Sequence, residues 1–305
     1  MKVIISGATG FLGKAITEEC LKHNDEVVVL VKDVQKAYEL WGNNLTIVEC
    51  ALSDYRNFAE SNIKMEIGQA DVFYHLAWNG TSGRLRGDYS IQLANVEAAC
   101  DALKLAAELK CKRFINAGSI MEYEASKYLH ETGCEPGLGY IYSISKLSAD
   151  YMLKTISYNE GIDYINAVIS NIYGEGEVSE RFINVMLRKM LHGESLNLTT
   201  CEQLYDFIYI TDAAEVFYML ADKGVSGQEY YIGNSVLRPL KEFVLVMKNE
   251  LKSSSVINFG KVPFNGSFST YSDIDIAKVE RELGYIPKIS FAEGIKRLAE
   301  YERSL

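Results

Sequence analysis

An apolar run, a glycine-rich turn and an amphipathic segment follow one another within the first 23 residues, and this succession limits what the chain can fold into. Val3, Ile4 and Ile5 form the run, Gly7-Ala8-Thr9-Gly10-Phe11-Leu12-Gly13 the turn, and Phe11, Leu12, Ala15, Ile16 and Cys20 the apolar face of a helix. Strand, turn and helix in this order form the local context in which a backbone loop cradles a dinucleotide pyrophosphate. Gly7 lets the chain turn sharply off the strand, and Gly10 removes a side chain where phosphate approaches the backbone. Gly13 permits close packing of helix on strand. The first helical turn then offers unpaired N–H groups and a partial positive charge to an anion. The expected dinucleotide-binding residues here are Gly7, Thr9, Gly10, Phe11, Leu12 and Gly13, at the spacing G-x-x-G-x-x-G.

Further apolar runs at 27–31, 45–48, 71–76, 113–117 and 164–170 alternate with helical periods near 11–23, 92–109 and 143–157. Continuous apolar strands separated by helices read as a parallel sheet covered on both faces. Beyond residue 170 the pattern is irregular, with helices expected near 180–192, 212–222, 239–251 and 291–303 and short strands near 206–210 and 229–232. The expected architecture is α/β: a Rossmann-type doubly wound sheet over residues 1–172, and a smaller C-terminal α/β substrate lobe over 173–305. The two are interleaved, with about 205–235 returning to the first. The 305 residues are 48% hydrophobic and carry a net charge of −10, which argues against a nucleic-acid surface. Cys20, Cys50, Cys100, Cys111, Cys134 and Cys201 show no metal-ligand spacing and read as reduced thiols. With no signal peptide and no apolar stretch long enough to span a bilayer, a cytoplasmic protein without membrane partners is expected.

Ligands in an open α/β sheet bind beyond the carboxyl ends of its strands. The fifth strand ends in Asn116-Ala117-Gly118-Ser119, and Tyr142-Ser-Ile-Ser-Lys146 opens a helix. Tyrosine and lysine at i, i+4 share a helical face. An ammonium beside a phenol favours the phenolate, so Tyr142 is suited to exchange a proton with a hydroxyl or carbonyl. Ser119 is placed to hydrogen-bond the same oxygen, and a cofactor would carry the hydride. A second copy of the spacing, Tyr123 to Lys127, falls in what reads as the loop leaving the strand, so Tyr142 and Lys146 are the expected pair.

With these residues in place the chain resembles the extended short-chain dehydrogenases/reductases of the nucleotide-sugar epimerase/dehydratase group, over nearly its whole length. The matching motifs are Gly7 to Gly13, His75-Leu76-Ala77, Asn95-Val96, Ser119 with Tyr123, Tyr142 with Lys146, and Asn171-Ile172-Tyr173-Gly174. Tyr205 to Asp212 resembles R-D-F-I-H-V-D-D, and Asp275 to Lys278 with Leu283 to Pro287 resembles the C-terminal D-x-x-K…L-G-W-x-P. The resemblance implies a catalytic set of Ser119, Tyr142 and Lys146. Tyr142 would be the acid/base, Lys146 would bind the nicotinamide ribose and tune Tyr142, and Ser119 would hold the sugar oxygen. Leu76, Ala77 and Asn95 would join the cofactor site, and Asn171 would meet the nucleotide diphosphate of the substrate. A homodimer is implied as well, through the helix after Asn95 and the helix of Tyr142, where Ala98, Ala99, Leu103, Leu105 and Ala106 suit close packing, either there or within the chain against its own sheet.

The departures from the pattern narrow the chemistry. Ile120-Met121 stands where 4,6-dehydratases carry Asp-Glu and where decarboxylases place Glu at the second position, so both activities are disfavoured. Glu122 lies one position late and reads as a loop carboxylate. Val31-Lys32 ends the second strand where NAD-binding relatives have an acidic residue for the ribose. Lys32, with Lys36 nearby, suits a 2′-phosphate and points to NADP; a shift of one or two residues would make Asp33 a ribose partner and the cofactor NAD. Ala51-Leu52 lacks the aspartate that meets adenine, which leaves backbone groups to read the base. Tyr205 replaces the arginine that pairs with substrate diphosphate, so Arg181, Arg238 or Lys261 would supply the charge. Trp78 to Arg86 is expected to line the substrate site, with Trp78 as a stacking surface and Met121 and Tyr205 as further contacts.

The favoured activity is reduction of a keto group on a nucleotide-linked (deoxy)sugar. The competing readings are a nucleotide-sugar 4-epimerase with tightly bound NAD, a reductase of a small carbonyl compound without a nucleotide, and a non-catalytic dinucleotide sensor.

Overall fold

A computed structural model describes residues 1–60, 67–130, 135–264 and 271–305. The chain divides into two compact units, Met1–Val168 with Ala214–Tyr230, and Ile169–Ala213 with Tyr231–Leu305.

The expected parallel sheet is present. Its strands are β1 (Lys2–Ser6), β2 (Glu26–Val31), β3 (Thr46–Glu49), β4 (Val72–His75), β5 (Arg113–Ser119), β6 (Asp163–Ile169) and, later in the chain, Glu229–Ile232; the spatial order is Glu229–Ile232, β6, β5, β4, β1, β2, β3. Ser6 pairs with Leu30 on one side and His75 on the other, and His75 with Asn116. The carboxyl ends of β1, β2, β4 and β5 therefore reach one edge together. The apolar runs are continuous because both faces are covered: Val3, Ile4 and Ile5 are fully buried. Connecting helices are α1 (Phe11–Lys22), α2 (Val34–Trp41), α3 (Tyr89–Glu108), α4 (Met121–Tyr128) and α5 (Tyr140–Glu160). The helices α2 and α4 fall outside the sequence reading, because each is only two turns long and carries little periodic signal. Tyr123 consequently sits on a helix, not in a loop.

Phe73 and Phe114 stack at 5.3 Å in the core beside Leu103, Ala99 and Leu153. Each buried side chain of this size contributes about 1.5–3 kcal/mol. Ala98, Ala99, Leu103, Leu105 and Ala106, expected at a dimer face, belong to this core. The reason is geometric: they form the stripe of α3 that faces its own chain. The exposed apolar residues of the two helices are instead Tyr89, Leu93, Tyr151 and Met152.

The second unit has an aromatic core, with Phe207, Phe243 and Phe291 at centroid separations of 4.9, 4.8 and 5.5 Å. Asp212 accepts hydrogen bonds from Tyr285 Oη (2.7 Å) and from the Lys288 and Ile289 amides (2.9 and 3.0 Å). One carboxylate thus links the two C-terminal motifs of the sequence. Among the described residues no helix is long and apolar enough to cross a membrane. Cys20, Cys50, Cys100, Cys111 and Cys201 are free thiols, and Cys134 lies outside the described residues.

The tightest point of the first unit is Gly13, where an added Cβ would lie 2.1 Å from the Gly7 carbonyl oxygen. Gly13→Ala is expected to destabilise the fold by about 1–3 kcal/mol, read as a lowered thermal midpoint against the unaltered chain.

Candidate active site

The glycine turn is held from two sides. Gly7 has φ +73°, in the left-handed region that favours glycine, and a Cβ there would lie 2.7 Å from the Ala77 amide nitrogen. The buried Ser6 hydroxyl accepts the Leu76 N–H at 3.2 Å and lies 3.0 Å from His75 Nδ1. Burial lowers the His75 pKa to about 3, so the imidazole stays neutral. The end of β4 is thereby locked against the end of β1. At the start of α1, Gly10 is the N-cap and provides no side-chain cap. The first-turn amides remain available to an anion. A glycine-rich backbone cradle leading into an uncapped helix start fits a dinucleotide pyrophosphate.

Nine of the expected cofactor residues line one cavity of about 600 Å³: Gly7, Thr9, Gly10, Lys32, Ala51, Leu52, Leu76, Ala77 and Asn95. That volume lies within the range of cofactor clefts. Trp78 lines it too, whereas Phe11, Leu12, Gly13, Tyr142 and Lys146 do not. Lys32 stands at the cavity wall just past β2. Asp33, the alternative ribose partner, is the N-cap of α2, and its Oδ1 accepts the Lys36 amide at 3.0 Å. Lys36 is exposed and is not a lining residue. The Ala51 amide donates to Asp54 at 2.7 Å, which removes one of the backbone groups expected to read the base. Arg56, unremarked in the sequence, lines the cavity and pairs with Glu97 and Asp101.

Two amides on α3 shape the loop after β4. Asn95 Nδ2 donates to Asn79 O at 2.8 Å, and its Oδ1 accepts the Asn79 amide at 2.9 Å. Gln92 accepts from Trp78 Nε1 at 2.8 Å and donates to Gly80 O and Leu85 O at 3.1 Å each. Gln92 was missed in the sequence reading; its signal is the i, i+3 spacing to Asn95, which puts both amides on one face.

Trp78, so held, brings the expected pair together. Lys146 Nζ lies 3.6 Å from the centroid of the Trp78 ring, and the Tyr142 ring meets the same indole edge-on at 6.3 Å. Lys146 Nζ also donates to Ala117 O at 2.9 Å, two residues before Ser119. The Arg86 guanidinium sits over the Tyr142 ring, 4.6 Å from its centroid. Ser119 Oγ accepts the Met121 amide at 3.3 Å. Glu122 is 3% exposed, which corrects its reading as a loop carboxylate: α4 turns it inward, where its Oε1 accepts the Ser119 amide at 2.7 Å. Tyr123 bonds to Glu229, so the second copy of the spacing is occupied elsewhere although it too is helical.

The remaining expected substrate residues lie in the second unit. Asn171 Nδ2 donates to Asp206 O at 3.0 Å. Arg181 stands at the N-cap position of the helix Phe182–Leu191 without a side-chain cap, and lies 3.9 Å from Glu177. Tyr205 stacks on Phe207 at 5.7 Å and pairs across strands with Arg238.

A doubly wound parallel sheet, a glycine turn after its first strand and a tyrosine–lysine pair beside its fifth define an enzyme of the extended short-chain dehydrogenase type. The chain belongs to the NAD dependent epimerase/dehydratase family, whose model matches residues 3–233. It is 26% identical to a CDP-abequose synthase of Salmonella muenchen, over 97% of this chain and 96% of that protein. It is 24% identical to a dTDP-glucose 4,6-dehydratase of Salmonella typhimurium, over 99% and 92%. The fold superposes on the UDP-glucuronic acid 4-epimerase of Bacillus cereus, solved with NAD, at a TM-score of 0.80 and 19% identity, covering 100% of this chain and 99% of that one.

The assignment of Asp33 is testable. Asp33→Ala is expected to lower stability by about 1 kcal/mol through loss of the α2 cap, and to leave NAD and NADP affinities unchanged in binding titrations.

Proposed function

We propose that this enzyme reduces the keto group of a nucleotide-linked (deoxy)sugar and uses NADPH to do so. The observation that carries the reading is the company of Tyr142. It meets the Trp78 indole together with Lys146 and carries Arg86 over its own ring, while the two residues after Ser119 are Ile120 and Met121. No carboxylate stands at the positions that dehydration or decarboxylation would need. With hydride supplied to the carbonyl carbon by the reduced nicotinamide, Tyr142 gives its proton to the carbonyl oxygen and Ser119 orients that oxygen. Lys146 stabilises the phenolate that remains and holds the nicotinamide ribose. Lys32 meets the 2′-phosphate; the commitment of Asp33 to its helix cap supports that choice over NAD. The likeness to a CDP-abequose synthase and a dTDP-glucose dehydratase supports a nucleoside-diphosphate substrate.

The second unit would bind that substrate. Arg238, directly across the strands from Tyr205, is the arginine best placed to replace the charge lost at that position. Arg181 and Asn171 would join it. We read the enzyme as cytoplasmic, where a soluble nicotinamide pool serves it. An epimerase is the second reading, favoured by the 4-epimerase fold likeness; it would retain NAD and consume no net NADPH.

Thermal-shift titration with nucleoside diphosphates and both cofactors separates these cases. Saturation at about 100 times Kd raises stability by about 2.7 kcal/mol. Shifts with a nucleoside diphosphate and with NADPH are expected; no shift with any nucleoside diphosphate would overturn the nucleotide-sugar substrate. Lys32→Glu is expected to weaken NADPH binding on the order of tenfold and to spare NADH, and Tyr142→Phe to abolish NADPH oxidation by keto sugars. Two copies would pair through the exposed Tyr89, Leu93, Tyr151 and Met152. Tyr151→Glu is then expected to convert a dimer to a monomer in sedimentation, and an unchanged sedimentation coefficient would exclude this face.

A further inference from the structure

Buried polar groups of the first unit lie around Lys146 and Ser119. Lys146, 5% exposed, has one hydrogen-bond acceptor in Ala117 O. A buried ammonium needs a counter-charge as well as hydrogen bonds. The nearby acids are Glu122 on α4, whose charge reaches Lys146, Asp150 one turn beyond Lys146 on α5, and Glu229, which neighbours Asp150. Tyr164 Oη donates to Asp150 at 2.8 Å, and Tyr123 bonds to Glu229. Glu122 is held differently. Its Oε1 takes the Ser119 amide at 2.7 Å, and its Oε2 takes Asn166 Nδ2 at 3.0 Å. Asn166 Oδ1 in turn accepts from Asn116 Nδ2 at 3.0 Å. The space for this arrangement is made at Gly118, where a Cβ would lie 2.5 Å from Asn166 Oδ1. Two N–H donors fixed on a fully buried carboxyl are the arrangement that favours its ionised form.

We propose that Glu122 is a positioning residue for the catalytic pair: its carboxylate is the counter-charge that keeps Lys146 an ammonium, and it fixes the Ser119 backbone at the same time. The proposal rests on the reading of Tyr142 and Lys146 as that pair. Burial lowers the Lys146 pKa, to about 7, against the pull of the Glu122 carboxylate; burial and then Asp150 raise the Glu122 pKa, to about 8, against the pull of Lys146. Each charge therefore opposes the neutralising effect of burial on the other. A neutral Lys146 would no longer favour the Tyr142 phenolate, and Tyr142 would keep its proton to higher pH. Arg86, over the Tyr142 ring, is the other cation at the phenol and is left unaltered in every variant.

The test follows the phenolate absorbance of Tyr142 with pH, as the difference between each chain and its Tyr142→Phe counterpart. Glu122→Gln preserves an acceptor for the Ser119 amide but removes the charge. It is expected to raise the Tyr142 midpoint by about one pH unit or more. Lys146→Met is expected to raise it at least as far, and Glu122→Gln added to Lys146→Met to change nothing further. If Lys146→Met leaves the midpoint in place, the pairing of Tyr142 with Lys146 fails. If Lys146→Met moves it and Glu122→Gln does not, the role of Glu122 alone is overturned. Asn166→Ser, which withdraws one donor from the carboxylate, is the companion variant should Glu122→Gln not fold; it is expected to shift the midpoint upward by less. No shift in whichever of the two folds overturns the proposal.

Discussion

Everything in the first unit depends on the close approach of two backbone segments, the turn after β1 and the end of β4. Where Gly7 meets Ala77 there is no room for a Cβ, and where Gly13 meets the Gly7 carbonyl there is less. Ser6, buried at the end of β1, donates nothing to solvent and spends its hydroxyl on β4. This lock places the uncapped start of α1 and the loop after β4 on one sheet edge. The cavity wall, Trp78 and the residues that Trp78 touches all follow from it.

The second constraint is charge without water. Lys146 is buried with its ammonium on Ala117 O, and the indole of Trp78 covers it. Such an arrangement holds only when each polar atom has a partner with good geometry. Asn116, Asn166 and the Ser119 amide supply those partners to Glu122, and Asn95 with Gln92 supply them to the loop that carries Trp78. The Ser119 backbone and the loop that carries Trp78 are therefore positioned by amides and a carboxylate.

The legible parts of the sequence were those governed by local rules. Periodicity marked the long strands and helices, because a fully buried strand must be apolar along its length. The glycine turn was legible because backbone crowding leaves one residue type. Tyr142 and Lys146 were legible because i, i+4 spacing places them on one face. Short elements escaped: α4, two turns long, was read as a loop, and Glu122 was misread with it. Ala98 and Leu103 were legible as a packing stripe but not as to what they pack against, since burial in the same chain and burial against a second copy ask for the same residues.

What the sequence determined by itself, then, was the class of fold, the glycine turn after β1 and the placement of Tyr142 and Lys146 on one helical face, since each rests on contacts between near neighbours or on a steric rule. What only the tertiary structure decided was how individual polar side chains are spent. Asp33 caps a helix and leaves Lys32 at the cavity wall. Asn95 and Gln92 hold a loop, and Glu122 turns inward beneath Ser119. A carboxylate or an amide can satisfy many donors, and which one it takes depends on the distant segments that the fold brings within 3 Å.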